Sequence, residues 1–189
     1  MDGTLWVFGY GSLIWNPEFP VAERRLARAE GWRRSFCMRS IHHRGTETDP
    51  GLVLALDREA GAVCDGVAFR VAPGAEAATL AELRARELIS SAYLEVTLPL
   101  ATAEGPLQAL AYVIDPAHGQ YCGGLALEEQ AGIIAHAAGG RGPNRDYLWS
   151  TAAHLAELGL ADPELEWLAA RVRALCAGAA GQTGDAATN

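Results

Sequence analysis

The sequence predicts a mixed α/β (α+β) protein: a mainly antiparallel, strongly curved sheet followed by packed helices. Three observations carry that expectation. Short β-rich segments follow one another closely before any convincing helix begins. After Asp115-Pro116 the apolar residues switch to helical spacing. The 189 residues are half hydrophobic, enough for one domain with a full core and too few for two comfortable ones. The domain is expected over residues 1–176, with 177–189, small and polar, as a disordered tail.

The elements are justified in order. Thr4 to Phe8 is β-branched and aromatic and predicts a first strand, broken by Gly9 to Ser12. Asn16-Pro17 and Pro20 prevent a long helix from starting there. Glu23 to Ala29 predicts an edge strand, and Gly31 to Met38 a half-buried one with Trp32, Phe36 and Met38 at even positions. Arg39 to Pro50 reads as a loop, Gly51 to Leu56 as a strand, Asp57 to Gly61 as a turn and Val63 to Val71 as a strand ended by Pro73-Gly74. Ala75 to Ile89 is the first good helix, with Leu80, Leu83 and Glu87 on one face. Tyr93 to Leu98 and Leu107 to Ile114 predict two strands about a Gly-Pro turn. Helices follow over Leu127 to Ala138 and Asn144 to Leu158. A last one starts at the cap Asp162-Pro163 and carries Leu165, Leu168, Val172 and Leu175 on one face.

Composition narrows the function classes. A formal net charge of −8 argues against nucleic-acid binding, which needs a basic patch. A small ligand or a protein partner is expected instead. No run approaches the roughly 20 apolar residues that span a bilayer, and no signal peptide is visible, so the expected compartment is the cytoplasm. Cys37, Cys64, Cys122 and Cys176 lie far apart with no C-x-x-C pair, which predicts reduced thiols. The histidines show no i,i+4 pair and no C/H spacing, so no metal site is expected.

Two features could carry chemistry. Gly9-Tyr10-Gly11-Ser12-Leu13-Ile14 resembles a dinucleotide fingerprint without its third glycine, but Asn16-Pro17 denies it the helix such a site needs. A glycine-flanked turn can instead let backbone N–H groups approach a carboxylate or oxyanion; the alternative is a tight turn with no ligand. Glu87 faces the core, where burial raises a carboxylate's pKa and suits it to acid–base work. The alternatives for Glu87 are an ion pair with Arg84 or Arg86, or a frayed helix end. Arg39, His42, His43 and Arg44 form a small basic cluster, either a carboxylate clamp or a solvated loop. Ser12 has no G-x-S-x-G context, so a serine-hydrolase reading is weak. Tyr121 lies in a loop before Cys122-Gly123-Gly124 and either caps the core or reaches a ligand.

Trp6-Val7-Phe8-Gly9-Tyr10-Gly11-Ser12-Leu13-Ile14-Trp15-Asn16-Pro17 resembles the opening of the ChaC-like gamma-glutamylcyclotransferases. The resemblance continues through Trp32 to Phe36, Ser40, Arg44-Gly45-Thr46, Pro50-Gly51, Gly66 to Arg70, Arg86-Glu87, Tyr93 and Asp146-Tyr147-Leu148, nearly the whole chain. It implies a small, mostly antiparallel barrel with helices packed outside. It also implies an activity: glutathione is cleaved to 5-oxoproline and cysteinylglycine. By resemblance the loop Tyr10, Gly11, Ser12 and Leu13 binds the gamma-glutamyl group, Glu87 is the catalytic acid/base, and Ser40 and Tyr121 lie near the substrate. Arg39 is added on physical grounds. Ser90-Ser91-Ala92 departs from the family pattern, which often carries glycine before the tyrosine matching Tyr93.

The implied chemistry suits the residues. The substrate's own α-amine attacks its γ-carbonyl, so no enzyme nucleophile, metal or cofactor is required. A base must move a proton, and donors must hold the folded substrate and its oxyanion. The alternatives are a cyclotransferase for other gamma-glutamyl amines or dipeptides, and a non-enzymatic regulator of ion transport.

Overall fold

The computed structural model describes residues 4–89, 91–160 and 162–184, with side chains described to residue 178. The elements run β1 (Trp6–Gly9), a 3-10 turn (Ser12–Ile14), β2 (Val21–Ser40), β3 (Gly51–Val71), α1 (Glu76–Glu87), β4 (Tyr93–Thr102), β5 (Leu107–Ile114), α2 (Leu127–His136), β6 (Ala138–Gly139), β7 (Gly142–Pro143), α3 (Asn144–Glu157) and α4 (Pro163–Gly184). They group into two compact units, Met1–Cys37 with Leu54–Gly123, and Met38–Val53 with Gly124–Asn189.

The first unit holds a closed barrel in the order β1-β3-β2-β4-β5. The β1–β3, β2–β4 and β4–β5 pairings are antiparallel, and β1 and β5 run parallel at Val7 and Leu110. The mixed, mostly antiparallel, barrel-like sheet is therefore as expected. Five strands leave a narrow interior, and the sequence fits it with small residues: Ala27, Ala29, Ala68, Ala109 and Ala111 line the core beside Phe8, Tyr10, Leu56 and Leu100. Burying a side chain such as Phe8, 1% exposed, contributes on the order of 2–3 kcal/mol.

Two departures from the sequence reading share one cause. The strands expected at 23–29 and 31–38 are one strand, and the turn expected at Asp57 to Gly61 is strand. Gly31 and Gly61 sit inside these long strands at φ 78° and 82°, which glycine adopts without steric cost. The ion pairs Arg28–Asp65 and Arg33–Glu59 run in opposite senses along β2 and β3. Their opposite spacing shows an antiparallel ribbon, and the two pairs bracket both glycines at one level. The glycines thus bend the ribbon where the sequence suggested a break.

Helix α1 buries Thr79 and Leu83, and its last residue is Glu87. Leu80 is half-buried, so the expected face is the one turned inward.

The second unit packs α2, α3 and α4 against one another over Ile134, Leu148, Leu155, Leu165 and Leu168. Asp162 caps α4 as expected, its Oδ1 accepting the Leu165 N–H at 3.1 Å. Asn144 clips the end of β3: it accepts the Leu52 N–H and donates to the Leu52 carbonyl, each at 2.7 Å. The short hairpin of β6 and β7 carried no strand signal. Of the tail expected at 177–189, residues 177–184 continue α4, and 185–189 lie outside the described residues.

Candidate active site

The site is built in the first unit, where β1 ends. Gly9 is required by close approach rather than by φ: a Cβ there would meet the Phe69 ring at 2.8 Å and the Leu13 Cβ at 3.2 Å. Gly66 faces it, and a Cβ there would lie 2.5 Å from the Gly9 carbonyl oxygen. Tyr10 is 8% exposed and turns inward, its hydroxyl donating to the Tyr112 carbonyl at 2.6 Å. Buried Arg34 donates to the carbonyls of Tyr10 at 3.0 Å and Asp65 at 2.9 Å. The loop is therefore held from beneath by barrel residues. Gly11 then opens a single 3-10 turn, closed by the Ile14 N–H on the Gly11 carbonyl at 3.0 Å. The N–H groups of Ser12 and Leu13 precede that bond, so the turn itself gives them no acceptor.

The end of α1 meets this turn through Arg86. Its Nη2 donates to Ser12 Oγ at 2.9 Å, and its Nη1 to Glu18 Oε2 at 2.8 Å and the Asn16 carbonyl at 3.2 Å. Its Nε lies 3.1 Å from Glu87 Oε1, and both side chains are 18% exposed. Of the arrangements weighed for Glu87, the ion pair with Arg86 is the one formed. Arg84 goes elsewhere: it grips Glu95 bidentately at 2.7 and 2.8 Å. The Tyr112 hydroxyl donates to the same carboxylate at 3.1 Å. Burial first, then the negative charge of Glu95 and its hydrogen bond, and last the charge of Glu87, push the Tyr112 hydroxyl's pKa up.

The other expected site residues are placed as follows. The Tyr121 hydroxyl donates to Asp57 Oδ2 at 2.8 Å; that bond, then burial, raise its pKa to about 12. Its ring fills the space beside Gly123, where a Cβ would lie 2.0 Å from the hydroxyl oxygen. Arg39 and Ser40 end β2 in the second unit. Arg39 is half-buried. Ser40 is buried, with its Oγ accepting the Arg44 N–H at 3.0 Å, so this hydroxyl shapes the loop that follows. The structure joins the Ser12 turn to Glu87 through Arg86; it gives Tyr121 its own partner and Ser40 a local one.

Sequence reasoning missed Glu18, Asp57 and Tyr112 as members of these networks; it named Arg86 as a possible ion-pair partner of Glu87 but missed its reach to the Ser12 turn. Only Arg86 carried a signal, as the neighbour of Glu87. Ser91 adopts φ 56°, the left-handed region that favours glycine, where the sequence departs from the family pattern. Ser90 lies outside the described residues. Among the described residues, no group of three or more His, Cys, Asp or Glu is arranged to hold a metal ion.

The family of ChaC-like proteins matches residues 5–175, with the Gly9 loop, Arg86 and Glu87 inside the match. The chain belongs to the ChaC-like family. Among ChaC-like relatives, the Escherichia coli (strain K12) protein named glutathione-specific gamma-glutamylcyclotransferase is 36% identical over 177 residues, covering 93% of this chain and 76% of the relative. The Danio rerio glutathione-specific gamma-glutamylcyclotransferase 1 is 36% identical over 148 residues, covering 77% of this chain and 76% of the relative. A crystal structure of a yeast gamma-glutamyl cyclotransferase specific to glutathione superposes with a TM-score of 0.82 at 23% identity. It covers 91% of this chain and 96% of the other, and it shows that the ChaC-like fold is shared.

Proposed function

We propose that this chain is a glutathione-specific gamma-glutamylcyclotransferase with Glu87 as its acid/base. One observation carries the reading: a single guanidinium, Arg86, holds both the Glu87 carboxylate at 3.1 Å and the Ser12 turn at 2.9 Å. That shared cation supports reading Glu87 as the proton carrier and the turn as the source of backbone donors.

In the proposed reaction the γ-glutamyl group folds back in the Tyr10–Leu13 loop. Glu87 takes a proton from the α-ammonium, and the freed amine attacks the γ-carbonyl. The new C–N bond closes the five-membered ring, and N–H groups of the loop receive the oxyanion. Glu87 then returns its proton to the departing nitrogen as the old C–N bond breaks. Two protons leave the attacking nitrogen in all, and two reach the leaving one; the second pair of transfers runs through solvent. The products are 5-oxoproline and cysteinylglycine, and no water is consumed. Ser12 is no nucleophile here: its oxygen accepts from Arg86, and a guanidinium cannot act as the base that would activate it. Tyr121 and Ser40 remain candidate substrate contacts, and Arg39 a candidate carboxylate clamp. The proposed compartment is the cytoplasm, where glutathione is abundant.

The test is Glu87→Gln, assayed for 5-oxoproline with glutathione and for glutathione binding by calorimetry. We expect a folded protein that binds and does not turn over. Near-normal turnover would sink the acid/base assignment, and turnover restricted to other gamma-glutamyl dipeptides in the wild type would replace glutathione as substrate. The left-handed backbone at Ser91, four residues from Glu87, is the observation that makes that panel worth running.

A further inference from the structure

We propose that Arg86 is a positioning residue for the cyclisation, and that Glu18 is the strut that aims it. The inference rests on the reading of Glu87 as acid/base. Arg86 contacts acceptors on four residues: Ser12, Asn16, Glu18 and Glu87. A planar fork with fixed donor directions converts those contacts into one geometry. The turn that offers backbone N–H groups and the carboxylate that carries the proton cannot shift independently while the fork is in place.

Glu18 shows that the fork is held at a conformational cost. Its φ is 60°, in the left-handed region that L residues other than Asn, Asp and Gly rarely adopt. Its side chain is 56% exposed, so burial does not account for it. What the conformation achieves is a carboxylate gripped from both sides, by Asn16 Nδ2 on Oε1 and Arg86 Nη1 on Oε2, each at 2.8 Å. Exposed ion pairs of this kind contribute little to stability. Local strain kept at such a place points to function rather than to folding.

The test compares Arg86→Lys, Glu18→Gly and Glu87→Gln in kcat, KM and Tm with glutathione. Lysine keeps the charge but is a point donor that cannot span the four acceptors. We expect Arg86→Lys to lose kcat on the order of a hundredfold, with KM changed by a few-fold at most, since small misplacements of reacting groups have effects of that size. Glycine relieves the backbone at position 18, so Glu18→Gly should hold or raise Tm while kcat falls by about tenfold. If Arg86→Lys does not fold, Glu18→Gly decides the matter alone. Parallel loss of Tm and kcat in Glu18→Gly, a rise in KM alone, or kcat within twofold of wild type in a folded variant would overturn the inference. Turnover retained in Glu87→Gln would overturn the acid/base reading instead, which keeps the two failures apart.

Discussion

Arg84 and Arg86 stand two residues apart on the last turn of α1 and do opposite work. Two residues on a helix are about 200° apart, so they cannot share a face. Arg84 makes a closed pair: both oxygens of Glu95 are taken by its fork, and Tyr112 adds a third hydrogen bond. Its side chain is 51% exposed. Arg86 is 18% exposed and divides its donors between the Ser12 turn, the Asn16–Glu18 bend and Glu87. A carboxylate gripped on both oxygens braces a strand. Glu87 shares its cation with the Ser12 turn, and that ties its carboxylate to the loop. The difference is one of attachment: Arg84 ties its carboxylate to strand β4, and Arg86 ties its carboxylate to the Ser12 turn.

The sharpest way to break that contrast is to neutralise each carboxylate in turn. Glu87→Gln is expected to lower kcat by roughly 10²–10⁴, the usual worth of a positioned acid/base. Glu95→Gln should leave kcat within about twofold, because the hydrogen bonds of its carboxylate go to Arg84 and Tyr112 rather than to Arg86. Equal losses in a 5-oxoproline assay would mean that both arginines serve the chemistry.

The next effect comes from moving the turn itself. Gly9→Ala places a methyl 2.8 Å from the Phe69 ring, and Phe69 is 1% exposed against Phe19. Overpacking of this kind destabilises by about 1–3 kcal/mol. The displaced backbone should also weaken turnover, read as a fall in both urea midpoint and kcat. Ser12→Ala removes one acceptor of four from Arg86 and leaves the backbone donors intact. It should lower kcat only a few-fold, far less than Glu87→Gln; the reverse order would restore the hydroxyl to a catalytic part.

Much of this was legible in the chain. The glycines at 9 and 11, the β-rich segments before α1 and the Leu80–Leu83–Glu87 face each carry a local physical signal, and each is realised. The Asp162-Pro163 cap is legible for the same reason. What was not legible depends on residues distant in sequence. Gly31 and Gly61 look like strand breaks until an antiparallel partner shows that both bend at one level. Arg86 reaches Ser12 across 74 positions, and Tyr121 reaches Asp57 across 64. Glu18 is the clearest case: nothing in Asn16-Pro17-Glu18 announces a left-handed glutamate, because the cation that holds it sits on a helix not yet formed in the reading.

The smallest expected effect tests the structural half of the contrast through pH. The hydrogen bond from Arg84 is the main cause holding the Glu95 carboxyl below its ordinary value of 4.5; partial burial opposes it, and the Tyr112 bond and the Arg84 charge add to it. A carboxylate with a lowered folded-state pKa stabilises the protein fully above the unfolded value. That contribution is lost as pH falls through the folded value. Wild type and Glu95→Gln should therefore differ by a small margin in urea midpoint at pH 7. The margin is small because Arg84 is half-exposed and the pair is screened by solvent. Below pH 4.5 the two curves should converge, since protonation makes the wild-type group resemble the amide. A margin that persists in acid would assign the loss to packing around Tyr112, and Arg84 would then brace the barrel by shape rather than by charge.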